Sequence, residues 1–154
     1  MLADQRRHVI TYLLRPKADT RWLGFKEVRY EIGHFADADV MTDYLLFLNA
    51  LLPGVRYVIN VRDPQTAARS GWWREHPDAV SALERTVEHL GAAADTLTDV
   101  LGPGRVALTE YEQWSADPSA LVSALTSIGF PVQQALLRES LATHLEHGQN
   151  SERR

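Results

Sequence analysis

Arg62 and Ser70 are the two side chains whose types and spacing could bind an anion. Arg62 directly follows residues 55–61, an apolar and β-branched stretch that predicts a buried strand. Asp63 and Pro64 then suit a helix start, because an Asp side chain accepts from free backbone N–H groups and Pro fits the first helical position. A helix beginning there would place Ser70 on the face below its cap. An arginine fork and a hydroxyl that converge in this way could hold one phosphate.

The place of this pair in the chain also suits an anion. In open α/β sheets, ligands bind outside the carboxyl ends of the strands and near helix N-termini. Between positions 55 and 74, four arginines stand against a single acid, Asp63, although the whole chain has a formal net charge of −4. The segment is therefore locally positive. The purely structural alternative is a capped strand-to-helix junction with solvated arginines.

The composition is that of an ordinary globular domain. The chain has 154 residues, of which 45% are hydrophobic and 23% charged, so it can bury one core. Its acidic balance argues against a general nucleic-acid binder, and the absence of cysteine excludes disulfides and thiolate zinc sites. The apolar run at 44–52 is too short to span a bilayer, and the first seven residues lack a signal-peptide core. We therefore expect a cytoplasmic protein without a membrane span.

The hydrophobic periodicity predicts alternating helices and strands. We expect helices over residues 1–14, 38–52, 64–75, 78–101, 118–128 and 132–146, strands over 22–30, 55–61 and 105–111, and a frayed tail at 148–154. This order predicts an α/β fold with a small parallel sheet. Neither G-x-G-x-x-G nor G-x-x-x-x-G-K-[ST] occurs, so the chain has no complete phosphate-binding loop. The six histidines show no convincing metal-ligand spacing, and we expect no metal.

Several of these segments together resemble the middle of a bacterial sulfotransferase domain. They are residues 22–30, 48–64 and 68–73, and residues 109–118 and 127–131 are similar to that family's C-terminal strand, capped helix and closing turn. The resemblance implies that Arg62 and Ser70 hold the 3′-phosphate of the co-substrate 3′-phosphoadenosine 5′-phosphosulfate (PAPS). It also implies that residues 1–147 are the C-terminal portion of a P-loop-like, three-layer α/β domain.

The resemblance starts after the family's first strand, its 5′-phosphosulfate-binding loop and the following helix. That loop normally supplies the lysine and the backbone donors around the transferred group. We therefore expect a domain that is incomplete at its N-terminus, either one piece of a larger protein or a truncated relative that cannot catalyse transfer alone. A missing first strand would leave a sheet edge and apolar surface exposed, which favours association through that edge.

The reaction that the resemblance implies is in-line transfer of a sulfuryl group from PAPS to an acceptor hydroxyl or amine. Catalysis would come mainly from positioning and from fixed positive charge. Glu27 is the candidate general base, because similar family members carry a carboxylate in that role. A salt-bridged, purely structural Glu27 is the alternative, and His34 is a weaker candidate base.

The acceptor and the rival functions stay open. Four aromatic residues could line a pocket for a small-molecule, glycan or lipid acceptor, or could equally fill the core: Trp22, Tyr30, Trp72 and Trp73. A non-catalytic nucleotide- or partner-binding fragment of the same fold would keep the phosphate grip without transfer. A P-loop kinase-like relative is a further alternative, against which the absence of a Walker-type lysine counts.

Overall fold

The computed structural model describes residues 1–26, 35–137 and 139–140. Its elements, in chain order, are α1 (Leu2–His8), a π-helical segment (Val9–Leu14), α2 (Ala38–Leu51), β1 (Tyr57–Val61), α3 (Pro64–Ala67), a 3₁₀ helix (Gly71–Glu75), α4 (Ala79–Leu101), β2 (Val106–Glu110), α5 (Tyr111–Ala116) and α6 (Pro118–Ser127). Residues 134–137 and 139–140 are also helical.

The sheet that the described residues form has two parallel strands, β1 and β2. Tyr57 pairs with Val106 at one end, and Val61 pairs with Glu110 at the other. The expected α/β fold with a small parallel sheet is confirmed at this level. Because the strands are parallel and in register, the two chain segments that leave them do so at the same edge of the sheet.

The main core lies between one face of this sheet and the helices α2 and α4. Tyr57, Ile59 and Val106 face Leu45 and Leu48 of α2 and a small-residue stretch of α4 that includes Ala93 and Ala94. Small side chains let α4 approach the sheet closely, so that Leu97 and Met41 become completely buried. Burying one such side chain stabilises the fold by about 1.5–3 kcal/mol.

The opposite face of the sheet is covered only in part. On β2, Ala107 and Thr109 are buried, and α6 contacts this strand. Val58 of β1, which pairs with Ala107, is 44% exposed, and Leu108 on the other face is 47% exposed. Apolar surface is therefore accessible on both faces of the sheet. That a partner associates through a sheet edge stays a prediction.

The described part of the predicted strand over 22–30 is not a strand. Residues 22–26 have no regular structure, and 27–30 lie outside the described residues. The Trp22 ring instead packs edge-on against Phe130 at 5.1 Å, and the Arg56 guanidinium lies 4.7 Å from the Trp22 ring centre. Side-chain contacts, rather than backbone pairing, anchor this segment.

Three other expectations differ from the structure. The single helix predicted over 64–75 is two short helices separated by residues 68–70. The strand predicted over 105–111 ends at Glu110, and the chain turns at once into α5. Of the helix predicted over 132–146, residues 134–137 and 139–140 are helical, and 138 and 141–146 lie outside the described residues, as does the predicted frayed tail at 148–154. Among the helices that the structure describes, none is both long and apolar enough to cross a membrane.

Tyr57 connects the sheet to α2 through a buried hydroxyl. Its O–H donates to the Leu45 carbonyl over 2.5 Å. Burial raises the pKa of Tyr57 to about 12; the Arg105 charge opposes this rise and Tyr44 adds to it. The neutral hydroxyl is therefore the form that the folded state favours.

Replacing Tyr57 tests this linkage. At neutral pH, Tyr57→Phe is expected to lower the free energy of unfolding by about 1 kcal/mol through loss of the hydrogen bond. As pH rises above the ordinary tyrosine value of 10.0 towards about 12, the unfolded phenol ionises before the buried one, so the wild type loses stability. The difference in the free energy of unfolding between wild type and Tyr57→Phe should change by up to about 2 kcal/mol, which removes the wild-type advantage and reverses its sign. Urea unfolding of both proteins at neutral and alkaline pH measures this difference in the free energy of unfolding. A difference that stays constant with pH would contradict the buried, un-ionised hydroxyl.

Candidate functional site

The candidate site lies where β1 and β2 both end. Arg62 and Asp63 follow β1, and Tyr111 and Glu112 open α5 directly after β2. Since Val61 pairs with Glu110, the residue that follows each strand meets its counterpart from the other. The sheet register therefore brings together two chain segments that are about 50 positions apart.

Asp63 caps α3 as the sequence predicts. Its Oδ1 accepts from the Thr66 backbone N–H at 2.8 Å and from the Thr66 hydroxyl at 2.7 Å. These two bonds, with smaller contributions from the Arg69 and Arg62 charges, lower the pKa of Asp63, and desolvation opposes them only in part. The carboxylate is thus committed to the helix start rather than to a ligand.

Arg62 and Ser70 meet at the site. The Arg62 Nη1 group donates to the Ser70 hydroxyl at 3.3 Å. The guanidinium lies over the Tyr111 ring, with 4.7 Å from Cζ to the ring centre. The Arg62 side chain is 37% exposed, so part of it is open to solvent. A guanidinium stacked on a ring keeps the donors at its edge available for a ligand.

Ser70 reaches Arg62 by a route that differs from the predicted one. The helix ends at Ala67, Ser70 adopts an extended conformation with φ −116° and ψ 147°, and Gly71 has φ 55°. The Ser70 N–H and hydroxyl both donate to the Ala67 carbonyl, at 3.0 Å and 2.9 Å. The hydroxyl proton is therefore used inside the turn. To donate to an anion, Ser70 must release the Ala67 carbonyl.

Glu112 is the residue at this site that sequence reasoning missed. Its Oε2 accepts from the Asp63 backbone N–H at 3.1 Å, and its Oε1 lies 3.7 Å from Arg62 Nε. The second contact is an ion pair that is too long to be a hydrogen bond. Among the described residues no atom accepts a hydrogen bond from this buried Nε. Glu112 thus joins the ends of the two strands.

Asn60 supports the tyrosine beneath Arg62. Its Oδ1 accepts from the Thr109 hydroxyl at 3.0 Å and from the Trp114 indole N–H at 2.7 Å. The Trp114 ring meets the Tyr111 ring edge-on at 4.8 Å. Tyr111 is therefore held against β1 through Trp114, which fixes the surface on which the guanidinium rests.

The other arginines of the segment have different surroundings. Arg56 donates to the Ile128 carbonyl at the end of α6, so its role is structural. Arg69 and Arg74 are exposed, and Arg74 Nε donates to the Arg69 carbonyl at 3.2 Å. With Asp63 and Glu112 beside Arg62, the site is less positive than the count of arginines over 55–74 indicates.

The remaining candidate residues are not placed at the site. Glu27, His34 and Tyr30 lie outside the described residues. Trp72 is 59% exposed, whereas Trp73, whose ring lies 5.0 Å from that of Trp72, is half-buried. In the part of the chain that the structure describes, no group of histidine, aspartate and glutamate side chains could hold a metal ion.

Comparison with known proteins adds no identification: no family model matches the chain, and neither a curated protein nor a solved structure matches it. Its function is therefore inferred from the geometry of the site and from the sequence resemblance.

Gly71 is expected to be required for the position of Ser70. Its φ of 55° lies in the left-handed region, so Gly71→Ala should lower the free energy of unfolding by about 1 kcal/mol even though an added Cβ would meet no atom within 4 Å. Gly91→Ala is the matched control, because Gly91 lies inside α4 with the same open space. That change should instead stabilise by about 0.5–1 kcal/mol. Denaturation curves of the two variants measure these changes in the free energy of unfolding. Changes of the same sign and size in both variants would contradict the requirement for a left-handed conformation at position 71.

Proposed function

We propose that this chain is a sulfotransferase-like protein in which Arg62 and Ser70 bind the 3′-phosphate of PAPS. The observation that carries the proposal is the 3.3 Å contact between Arg62 Nη1 and the Ser70 hydroxyl at the carboxyl edge of a parallel sheet. A phosphate oxygen placed against both groups would accept from the arginine fork and from the hydroxyl. The same pair is the most specific part of the resemblance to the sulfotransferase family.

The fold around the pair also supports the proposal. The two strands are adjacent and parallel, α2 and α4 cover one sheet face, and α6 contacts β2. These features are compatible with a P-loop-like, three-layer arrangement. In such folds the carboxyl edge of the sheet is where nucleotides bind. The Tyr111 ring lies against the Arg62 guanidinium, which restricts the side chain before a ligand arrives.

Two local interactions would moderate the affinity. Ser70 donates to the Ala67 carbonyl, and Glu112 lies 3.7 Å from Arg62 Nε. A bound phosphate would have to draw the hydroxyl away from the carbonyl and would experience a carboxylate near the same arginine. A dianionic phosphate gains more from the arginine than a monoanion does, which favours a terminal 3′-phosphate over a phosphodiester.

Transfer depends on groups other than the 3′-phosphate pair. In the proposed reaction, sulfur forms a bond to the acceptor oxygen or nitrogen, its bond to the nucleotide oxygen breaks, and adenosine 3′,5′-bisphosphate leaves. Glu27 takes the proton that the acceptor hydroxyl or amine loses. The exposed Trp72 and its neighbour Trp73 offer an apolar surface for a small-molecule, glycan or lipid acceptor.

The alternative is a non-catalytic nucleotide-binding fragment. The carboxylates of Asp63 and Glu112 favour this alternative, because two acids at the site suit selective binding better than they suit stabilisation of developing negative charge.

Calorimetric titration with adenosine 3′,5′-bisphosphate tests the phosphate site. Arg62→Ala should weaken binding roughly 10-fold to 100-fold, because a charge-assisted hydrogen bond is lost, and Ser70→Ala should weaken it by about 2-fold to 10-fold. Arg62→Lys keeps the charge but not the fork, so it should restore only part of the affinity.

Two controls make this titration specific. Arg74→Ala removes the same charge from an exposed position of the same segment and should change the affinity by less than about 2-fold. Adenosine 5′-monophosphate lacks the 3′-phosphate, and it should bind wild type and Arg62→Ala equally. Equal binding of the bisphosphate to wild type and Arg62→Ala would remove the site, whereas binding without sulfuryl transfer from PAPS would favour the non-catalytic alternative.

A further inference from the structure

Glu112 touches both parts of the strand junction at which the proposed phosphate site lies. One oxygen accepts from the Asp63 N–H at 3.1 Å, and the other lies 3.7 Å from Arg62 Nε. The first bond fixes the carboxylate on the backbone, because Asp63 is itself held as the cap of α3. Glu112 is therefore a fixed reference point for the arginine rather than a freely moving counter-ion, although its side chain is 42% exposed.

The three contacts of Arg62 together define the direction of its fork. Glu112 faces Nε, Tyr111 lies beneath the plane, and Ser70 accepts from Nη1. A guanidinium with an ion-pair partner on its Nε side and a ring against it leaves the edge that carries its two terminal nitrogens for a ligand. The buried Nε has no hydrogen-bond acceptor among the described residues, so without Glu112 it would also lose its ion-pair partner, and the side chain would gain freedom to turn.

On this geometry we infer that Glu112 is a positioning residue for the anion site, an inference that rests on the proposed phosphate-binding role of Arg62. Electrostatics alone predicts the opposite effect of removing Glu112. A carboxylate beside an anion site repels the ligand, so its removal should tighten binding. Positioning predicts the opposite sign, because a misdirected fork loses the hydrogen bonds that the ligand needs. The sign of the change separates the two effects.

Glu112→Ala and Glu112→Gln form the test pair. Gln keeps one oxygen that can accept from the Asp63 N–H, but its NH₂ group then replaces the oxygen that faces Arg62 Nε, whereas Ala loses both contacts. Titration with adenosine 3′,5′-bisphosphate should show roughly tenfold weaker binding for Ala and a smaller loss, of about threefold, for Gln. In the Arg62→Ala background, Glu112→Ala should cause no further loss, since the group that it positions is absent.

The control for charge is Glu110→Gln. Glu110 ends β2 close to the site, and its Oε2 accepts from the Gln113 side chain rather than facing Arg62. Its neutralisation should leave the affinity unchanged or slightly increased. Tighter or unchanged binding of the bisphosphate in both Glu112 variants would overturn the inference. The effect of Glu112 on affinity would then come from its charge and not from the position that it gives to Arg62.

A readout without ligand makes this test independent of the proposed function. The ¹⁵N order parameter of the Arg62 Nε–H group should fall in Glu112→Ala and fall less in Glu112→Gln, which keeps the bond to the Asp63 N–H. An unchanged order parameter in Glu112→Ala overturns the inference even if the bisphosphate binds. If the bisphosphate fails to bind the wild type, the proposed function fails by itself, and the order parameter still decides whether Glu112 directs Arg62. Should Glu112→Ala not fold, Glu112→Asp replaces it, with weaker binding expected because the shorter carboxylate cannot reach both partners.

Discussion

The in-register parallel pairing of β1 with β2 is the contact on which the candidate site depends. Arg62 leaves one strand and Tyr111 leaves the other, and the pairing of Val61 with Glu110 places them side by side. Both segments are needed for the site, because Arg62 follows β1 whereas Tyr111 and Glu112, which contact it, follow β2. Helices α2 and α4 stabilise this register by covering one sheet face with buried apolar side chains. The site therefore depends on the packing of the core.

Local signals in the sequence predicted the parts of the fold that local physics determines. Asp63 and Asp117 cap helices that begin at a proline, as their residue types require, and the apolar spacing of residues 78–101 gave α4 nearly to its ends. The junction of Arg62 with Ser70 was predicted from spacing and is present in the structure, but its use as a phosphate site stays a prediction. Glu112 was not predicted, because its partner Asp63 is 49 positions away and only the strand register makes them neighbours.

The broken helix after Asp63 shows how a correct contact can follow from an incorrect element. A continuous helix would carry Ser70 below its cap by helical periodicity. The chain instead ends the helix at Ala67 and returns Ser70 through a turn closed by the Ala67 carbonyl, with Gly71 in the left-handed region. Glycine can adopt this conformation without a Cβ penalty, and it lets the chain start a second, 3₁₀ helix in a new direction. Sequence spacing does not distinguish the two routes, since both bring position 70 back towards position 62.

The balance of charge at the strand junction bears on what the site can recognise. A cluster of arginines alone would attract any anion, and the attraction would fall with salt. Here the two carboxylates of Asp63 and Glu112 lie beside Arg62, and each is fixed by a hydrogen bond to a backbone N–H group. A ligand at the terminal nitrogens of Arg62 must therefore gain enough from the guanidinium to overcome repulsion by the carboxylate that faces Nε. Selectivity for a compact dianion would then come from the repulsion built into the junction as much as from the arginine itself.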